Sequence, residues 1–431
     1  MREGYKNSVL GEIPEDWDVV RLGDVGEFKN GINKGKEDFG IGYPLVNLND
    51  VFGKNAVSDT NLGLVNSDEK ERELYSLESG DVLFIRSSVK PSGVGLTALV
   101  ENDIEDAVYS GFIIRYRDKG FFDSEFKKHC FYDDGFRKRL LAKSTVSANT
   151  NINQGALNKL VLACPTKEEQ QKIAKILSIV DEKIDVIDQR IIETTELKKG
   201  LMQKLLTKGI GHTKFKDSPL GEIPENWECV QLNEISTITR LAGYEYSEYW
   251  QEDENGEILA LRGYNIGKNK IFYHKLPRIT NELSLKLNRS RLYKGDVVFP
   301  CVGTIGNAAV IEEDDKFHIN QNIAKITPNQ CLNSQFLVQY LISNISRNEI
   351  DRFNATTSQP NVLVGSLRKF RVPFPTSLSE QKQIANILST VDNKLDVLKD
   401  KKSEHQELKK GLMQQLLTGK VRVKVEERVA Q

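Results

Sequence analysis

The loop Arg86-Ser-Ser-Val-Lys90 brings together a guanidinium, two hydroxyls and an ammonium. A guanidinium can take guanine O6 and N7, or a phosphate, in bidentate fashion. The bland alternative is an exposed loop of ordinary charge. Ser144-Thr-Val-Ser-Ala-Asn-Thr-Asn151 and Thr356-Thr-Ser-Gln-Pro-Asn361 are polar loops at corresponding places in the two halves of the chain. Their hydroxyls and amides suit phosphates or base edges. Asn320-Gln321-Asn322 offers amides that match adenine N6 and N7, or that bridge backbone groups. Pro300-Cys-Val-Gly-Thr304 stands where the Arg86 loop stands in the first half, without a basic residue. The candidates for contact with DNA are therefore Arg86, Ser87, Lys90, Ser147, Asn149, Asn151, Thr304, Asn320, Gln321, Thr357, Ser358, Gln359 and Asn361. Two further groups have bland defaults. Tyr244, Tyr246, Tyr249 and Trp250 read as core packing, with DNA contact as the alternative, and Arg137-Lys-Arg139 with Lys143 as a solvated helix face.

Catalytic patterns are missing. The sequence has no phosphate-binding Gly-x-x-x-x-Gly-Lys-Ser/Thr run, no His-Glu-x-x-His and no Gly-x-Ser-x-Gly. No Gly-x-Gly loop stands with an Asn-Pro-Pro-Tyr partner. The five histidines are scattered, and His129 beside Cys130 reads as a surface or half-buried structural residue. The five cysteines have no paired spacing, so neither a disulfide framework nor a metal site is expected, and a reducing cytoplasm is the expected location. No apolar stretch suits a signal peptide or a membrane helix.

The elements that position these loops come in two copies. Gly11-Glu-Ile-Pro-Glu-Asp-Trp17 returns as Gly221-Glu-Ile-Pro-Glu-Asn-Trp227, and Leu197-Lys-Lys-Gly-Leu-Met-Gln-Lys-Leu-Leu-Thr207 as Leu408-Lys-Lys-Gly-Leu-Met-Gln-Gln-Leu-Leu-Thr418. Each half opens with a mixed α/β head. Gly80-Asp-Val-Leu-Phe84 and Gly295-Asp-Val-Val-Phe299 predict a turn and a buried strand. Asp123–Leu141 and Asn333–Phe353 read as amphipathic helices. A long heptad segment closes each half. Ile173, Leu177, Val180, Ile184, Ile187 and Ile191 are spaced 4 and 3 alternately, as are Ile384, Leu388, Val391, Leu395 and Leu398, with a break expected at Lys402. Some forty helical residues span on the order of 60 Å. Such a seam needs a partner. The tethered copy is the nearest one and predicts antiparallel pairing within one chain. The alternatives are packing on the helix's own head, or pairing between molecules. Gly200 and Gly411, inside the helical pattern, predict either close helix approach or a local break.

Net charge is −1, whereas a chain that holds DNA alone usually has a basic excess. A partner is therefore expected to supply phosphate contacts.

With these motifs and Glu169-Gln-Gln-Lys-Ile-Ala-Lys-Ile-Leu177, copied as Glu380-Gln-Lys-Gln-Ile-Ala-Asn-Ile-Leu388, the chain resembles the specificity subunits of type I restriction–modification systems over its whole length. The resemblance implies two α/β target recognition domains joined by two long antiparallel helices in an intramolecular coiled coil, with pseudo-twofold symmetry. It implies a first head at 1–164, a central helix at 165–210, a second head at 211–375, a C-terminal helix at 376–418 and a tail at 419–431. Each head would read one part of a split, asymmetric site in double-stranded DNA, and the helices would set the gap. The chain itself would be non-catalytic, with no metal or cofactor. Two methyltransferase subunits using S-adenosylmethionine would dock on it, and restriction subunits using ATP and Mg would join them. Two other readings are a structural tether whose heads bind proteins and a fused enzyme with an unrecognised nuclease site.

Overall fold

The two heptad stretches fold as unbroken helices, Lys167–Lys208 and Leu378–Leu416, in a computed structural model that describes residues 2–354 and 361–424. The chain divides into two units, Met1–Asp188 with Asp400–Gln431, and Gln189–Lys399, so each unit draws on both helices. In the first unit Asp181 pairs with Lys409 and Asp188 with Lys402, both at 2.6 Å. Residue number rises along one helix as it falls along the other, which makes the pair antiparallel. In the second unit Lys198 pairs with Asp392. Ile173, Leu177, Val180, Ile384, Leu388, Leu395 and Leu398 are buried, and Ile184, Ile187, Ile191 and Val391 are half-buried. The break expected at Lys402 does not occur. The 4–3 spacing runs on through Lys402, His405 and Lys409 to Leu412 and Leu416, because the two lysines reach carboxylates on the facing helix.

Gly200 and Gly411 neither break the helices nor admit a close neighbour. Both are exposed, and an added Cβ would meet nothing within 4 Å. An exposed mid-helix glycine costs about 1 kcal/mol against alanine. Gly200→Ala and Gly411→Ala are each expected to raise stability by about that amount, as read from urea denaturation midpoints.

In the first unit a five-stranded sheet runs in the order Gly26–Asn30, Ile113–Asp118, Val82–Ile85, Thr97–Val100, Ala56–Val57. In the second unit a four-stranded sheet runs Ser236–Thr239, Ile323–Pro328, Val297–Pro300, Ala309–Val310. The first three strands of each are equivalent. Gly80 and Gly295 take φ of +90° and +92° in the turns before the buried strands. Asp81 and Asp296, buried beside them, accept the backbone N–H of Glu78 and Tyr293, both at 2.8 Å. The Gly-Asp-Val motif is therefore a turn closed by its own carboxylate.

Each of the two expected amphipathic helices is in fact two helices: Ser124–Lys127 and Asp134–Ala142, then Ser334–Leu341 and Asn344–Phe353. A capping residue inside the periodic stretch is the cause. Asp133 accepts the N–H of Phe136, and Ser343 that of Ser346, so each starts a new helix.

The copied motifs meet within each unit. In the first, the Trp17 indole donates to Glu169 at 2.6 Å, and Leu416 and Leu417 join a core with Ile13, Trp17 and Ile173. In the second, Trp227 donates to Glu380, and Leu205 and Leu206 join a core with Ile223, Trp227 and Ile384.

Candidate nucleic-acid interface

Strand Val82–Ile85 lies against Ile113–Asp118 with Ile85 opposite Ile113. Just beyond that pair, the Arg86 N–H donates to the Phe112 carbonyl at 2.9 Å and its guanidinium to the Gly111 carbonyl at 3.2 Å. Ser87–Ser88 then pairs with Thr150–Asn151, which pairs with Thr145–Val146. Two loops far apart in sequence thus form one three-stranded sheet that unites Arg86, Ser87 and Asn151. Its hairpin is tied by Ser147 Oγ and Asn151 Nδ2, which both donate to the Asn149 carbonyl, at 3.1 and 3.0 Å. Val89, Lys90, Val146, Ser147 and Asn149 are exposed at its edge.

The second head repeats the backbone frame with other side chains. Pro300 lies opposite Ile323, and Cys301 N–H donates to the Asn322 carbonyl at 2.8 Å. Val362 N–H donates to Cys301 just as Ile152 N–H donates to Arg86, both at 2.9 Å. Val302 bridges to Asn361 as Ser87 pairs with Asn151. Thr304 lies near this bridge with its hydroxyl donating to the Gly263 carbonyl at 2.8 Å. Asn320 is buried, and its Oδ1 accepts the Asn322 N–H at 3.0 Å, so it serves the backbone bridge rather than an open edge. The Oε1 of half-buried Gln321 has no partner among the described residues. Thr357, Ser358 and Gln359 lie outside the described residues.

Within the Arg137–Arg139 stretch the solvated-face reading holds for Lys138, and for Lys143 beyond it, both exposed, but not for the two arginines. Arg137 donates to the carbonyls of Val94 at 2.7 Å and Ser92 at 3.1 Å, and burial lowers its pKa. Arg139 donates to the Val161 carbonyl at 3.2 Å. Periodicity could not reveal this, because a long guanidinium satisfies buried carbonyls as readily as water. In the aromatic cluster Tyr246 stacks on Trp250 at 5.3 Å, Trp250 lies against a small core of Ile258, Ala260 and Ile279, and Tyr244 is exposed.

A matched cluster seats each head on the helix pair. In the second unit Asp392 takes Lys198 from the facing helix and the Gln339 amide from the head, the latter at 3.2 Å. In the first, Asp181 takes Lys409, with the His129 imidazole at 3.8 Å in the place of the glutamine. His129 is fully buried, neither at the surface nor half-buried as expected. Burial, then the charges of Lys409 and Lys128, hold its pKa down to about 3. The unfolded chain takes up a proton near the ordinary value of about 6.5, while the folded state stays neutral. Stability is therefore complete above about pH 6.5 and falls as pH drops toward 3, by up to about 1.4 kcal/mol per pH unit. His318, also buried with its pKa lowered to about 3, acts in the same direction. Replacing His129 with glutamine is expected to remove one such contribution, and urea titrations between pH 6.5 and 4 should show a shallower loss of stability.

Among the described residues no group of three or more His, Cys, Asp or Glu could hold a metal ion, and no helix is long and apolar enough to cross a membrane.

A family profile described as Type I restriction modification DNA specificity domain matches residues 14–196 and again 224–407. The chain is 28% identical to the type I restriction enzyme MjaVIII specificity subunit of Methanocaldococcus jannaschii, over 98% of this chain and 97% of that one. It is 23% identical to the EcoBI specificity subunit of Escherichia coli, over 61% and 58%. The fold is similar to the crystal structure of a type I restriction-modification system S subunit from M. genitalium, with a TM-score of 0.56, 16% identity, and coverage of 93% of this chain and 96% of that one.

Proposed function

The chain belongs to the type I restriction–modification DNA specificity family, and from that premise we propose that it reads a split, asymmetric DNA site with one head per half-site. Supporting this is a shared backbone frame that carries different side chains at the same edge: Arg86, Ser87 and Phe112 in one head, Val302 and Asn322 in the other, with a buried Cys301 in the place of Arg86. Base edges are read by side chains, so like frames with unlike edges suit unlike half-sites. Asn151 and Asn361 are common to both edges.

The paired helices act as the ruler that sets the unread gap. The chain performs no chemistry itself and holds no cofactor. Two methyltransferase subunits, using S-adenosylmethionine, dock on it, and restriction subunits using ATP and Mg complete the complex. Each unit offers its own docking residues, Val186 and Leu408 in the first and their counterparts Val397 and Leu197 in the second, all about half exposed and apolar. With a net charge of −1 the chain alone binds DNA weakly, and its partners add phosphate contacts. The cytoplasm, where the chromosome lies, is its place of action.

The test is methylation mapping of genomic DNA from cells expressing this chain with its methyltransferase. The proposal requires one motif with two unlike halves and a constant gap. Methylation without sequence preference, or a contiguous motif, would refute it.

A further inference from the structure

We infer that Phe112 and Asn322 are specificity-determining residues, each reading one base pair: Phe112 a T·A pair by the thymine methyl, and Asn322 an A·T pair by adenine N6 and N7. This rests on the DNA-reading function proposed above.

The two positions are equivalent by strand register. Each immediately precedes the isoleucine that faces the end of the buried strand, Ile113 opposite Ile85 and Ile323 opposite Pro300. Their carbonyls accept from Arg86 N–H at 2.9 Å and Cys301 N–H at 2.8 Å. Their own N–H groups donate to a side chain two residues back, Ser110 Oγ at 3.4 Å and Asn320 Oδ1 at 3.0 Å. Two unlike residues, serine and asparagine, thus build one turn. That turn is pinned from below in the first head. Gly111 N–H donates to the Ile32 carbonyl at 2.7 Å, and a Cβ on Gly111 would sit 2.0 Å from Asn33 Oδ1.

The side chains carried by this fixed backbone face outward. Phe112 is 60% exposed, and Asn322 is exposed although Asn320 and Ile323 beside it are buried. A single exposed apolar residue is ordinary by itself. Here it stands on a pinned turn, next to the Arg86 strand, at the position where the other head presents the Asn322 amide. A fixed backbone lowers the ordering cost of a contact and fixes which base pair is reached. The chemistry of the two side chains then separates the bases. A phenyl ring packs against the thymine C5-methyl, and an asparagine amide accepts from adenine N6 while donating to N7.

The experiment expresses the chain with its methyltransferase in a host free of other DNA methylation and maps the methylated motifs by single-molecule sequencing of genomic DNA. Phe112→Ala is expected to relax one position, a thymine in the wild-type motif, by on the order of ten-fold or more in discrimination, leaving the other half-site intact. Asn322→Ala is expected to relax one adenine in the other half-site to a similar extent. Asn322→Asp, with the same shape but no donor, is expected to abolish the preference for adenine there while the Phe112 half-site stays unchanged, which reports that the protein is folded. Retention of every wild-type position in these variants would overturn the inference and leave the proposed function standing. Uniform loss across a whole half-site, or relaxation at another base, would overturn it too. A wild-type complex with no motif would overturn both.

Discussion

Replacing Trp227 with alanine is expected to destabilise the second unit by about 3–5 kcal/mol. The side chain is 0% exposed and lies in the core that joins Ile223, Phe336, Ile384 and Leu206. Truncation removes that apolar burial and leaves a cavity between three pieces of chain: the opening motif of the head, the first turns of the C-terminal helix and the end of the central helix. The last of these is fixed closely. Gly209 ends the central helix at φ +63°, and a Cβ there would lie 2.9 Å from the Trp227 ring. The indole N–H also donates to Glu380 Oε1 at 3.4 Å, an oxygen already accepting from His212 at 2.8 Å and from the Ile210 N–H at 3.1 Å. Trp227→Phe, which keeps most of the volume and drops the donor, is expected to cost much less. Guanidinium titration followed by helix circular dichroism checks both variants, and a loss below about 1 kcal/mol for the alanine variant would contradict the argument. In the first unit the order of importance shifts toward the polar contact. Trp17 donates at 2.6 Å to a buried Glu169 that is further paired with Arg422 at 2.7 Å.

Gln381→Leu is expected to cost about 3 kcal/mol or more, although leucine is apolar and the site is fully buried. The amide serves three backbone groups at once. Oε1 accepts the Asn333 N–H at 2.7 Å, and Nε2 donates to the carbonyls of Cys331 and Pro375, both at 2.8 Å. Leucine would leave the buried Pro375 carbonyl and the part-buried Asn333 N–H and Cys331 carbonyl unpaired, at up to about 1–3 kcal/mol each, less where water reaches them. These groups lie on the segment before a head helix and on the strand that feeds the long helix, so the glutamine joins head to long helix. Gln170 does the same in the first unit, with Asp123 N–H at 2.7 Å and the carbonyls of Pro165 and Phe121 at 3.0 and 3.3 Å. Gln381→Glu is expected to fail as well, because a carboxylate cannot donate to two carbonyls. Hydrogen exchange at the Asn333 amide reports the break directly, and unchanged protection in the leucine variant would count against this role.

Much of the architecture was legible in the residues. Heptad spacing marked both long helices, because an apolar seam repeats along one face whatever its partner. The duplication was visible in the opening Gly-Glu-Ile-Pro motif and the closing Leu-Lys-Lys-Gly motif. Other features were misread at the level of local pattern. Asp133 and Ser343 sit within amphipathic periodicity yet cap new helices, Arg137 points inward, and Lys402 continues a seam it was expected to break.

The sequence by itself determined the repeated order of head and helix and the seams along which the helices pair, since both depend on residues near one another in the chain. Only the tertiary structure decided that Glu169 and Glu380 answer the two tryptophans, that Ser87 and Asn151 share a sheet, and that Phe112 and Asn322 occupy one equivalent turn. Those relations join residues distant in sequence through hydrogen bonds and strand register, and periodicity along the chain carries no record of either.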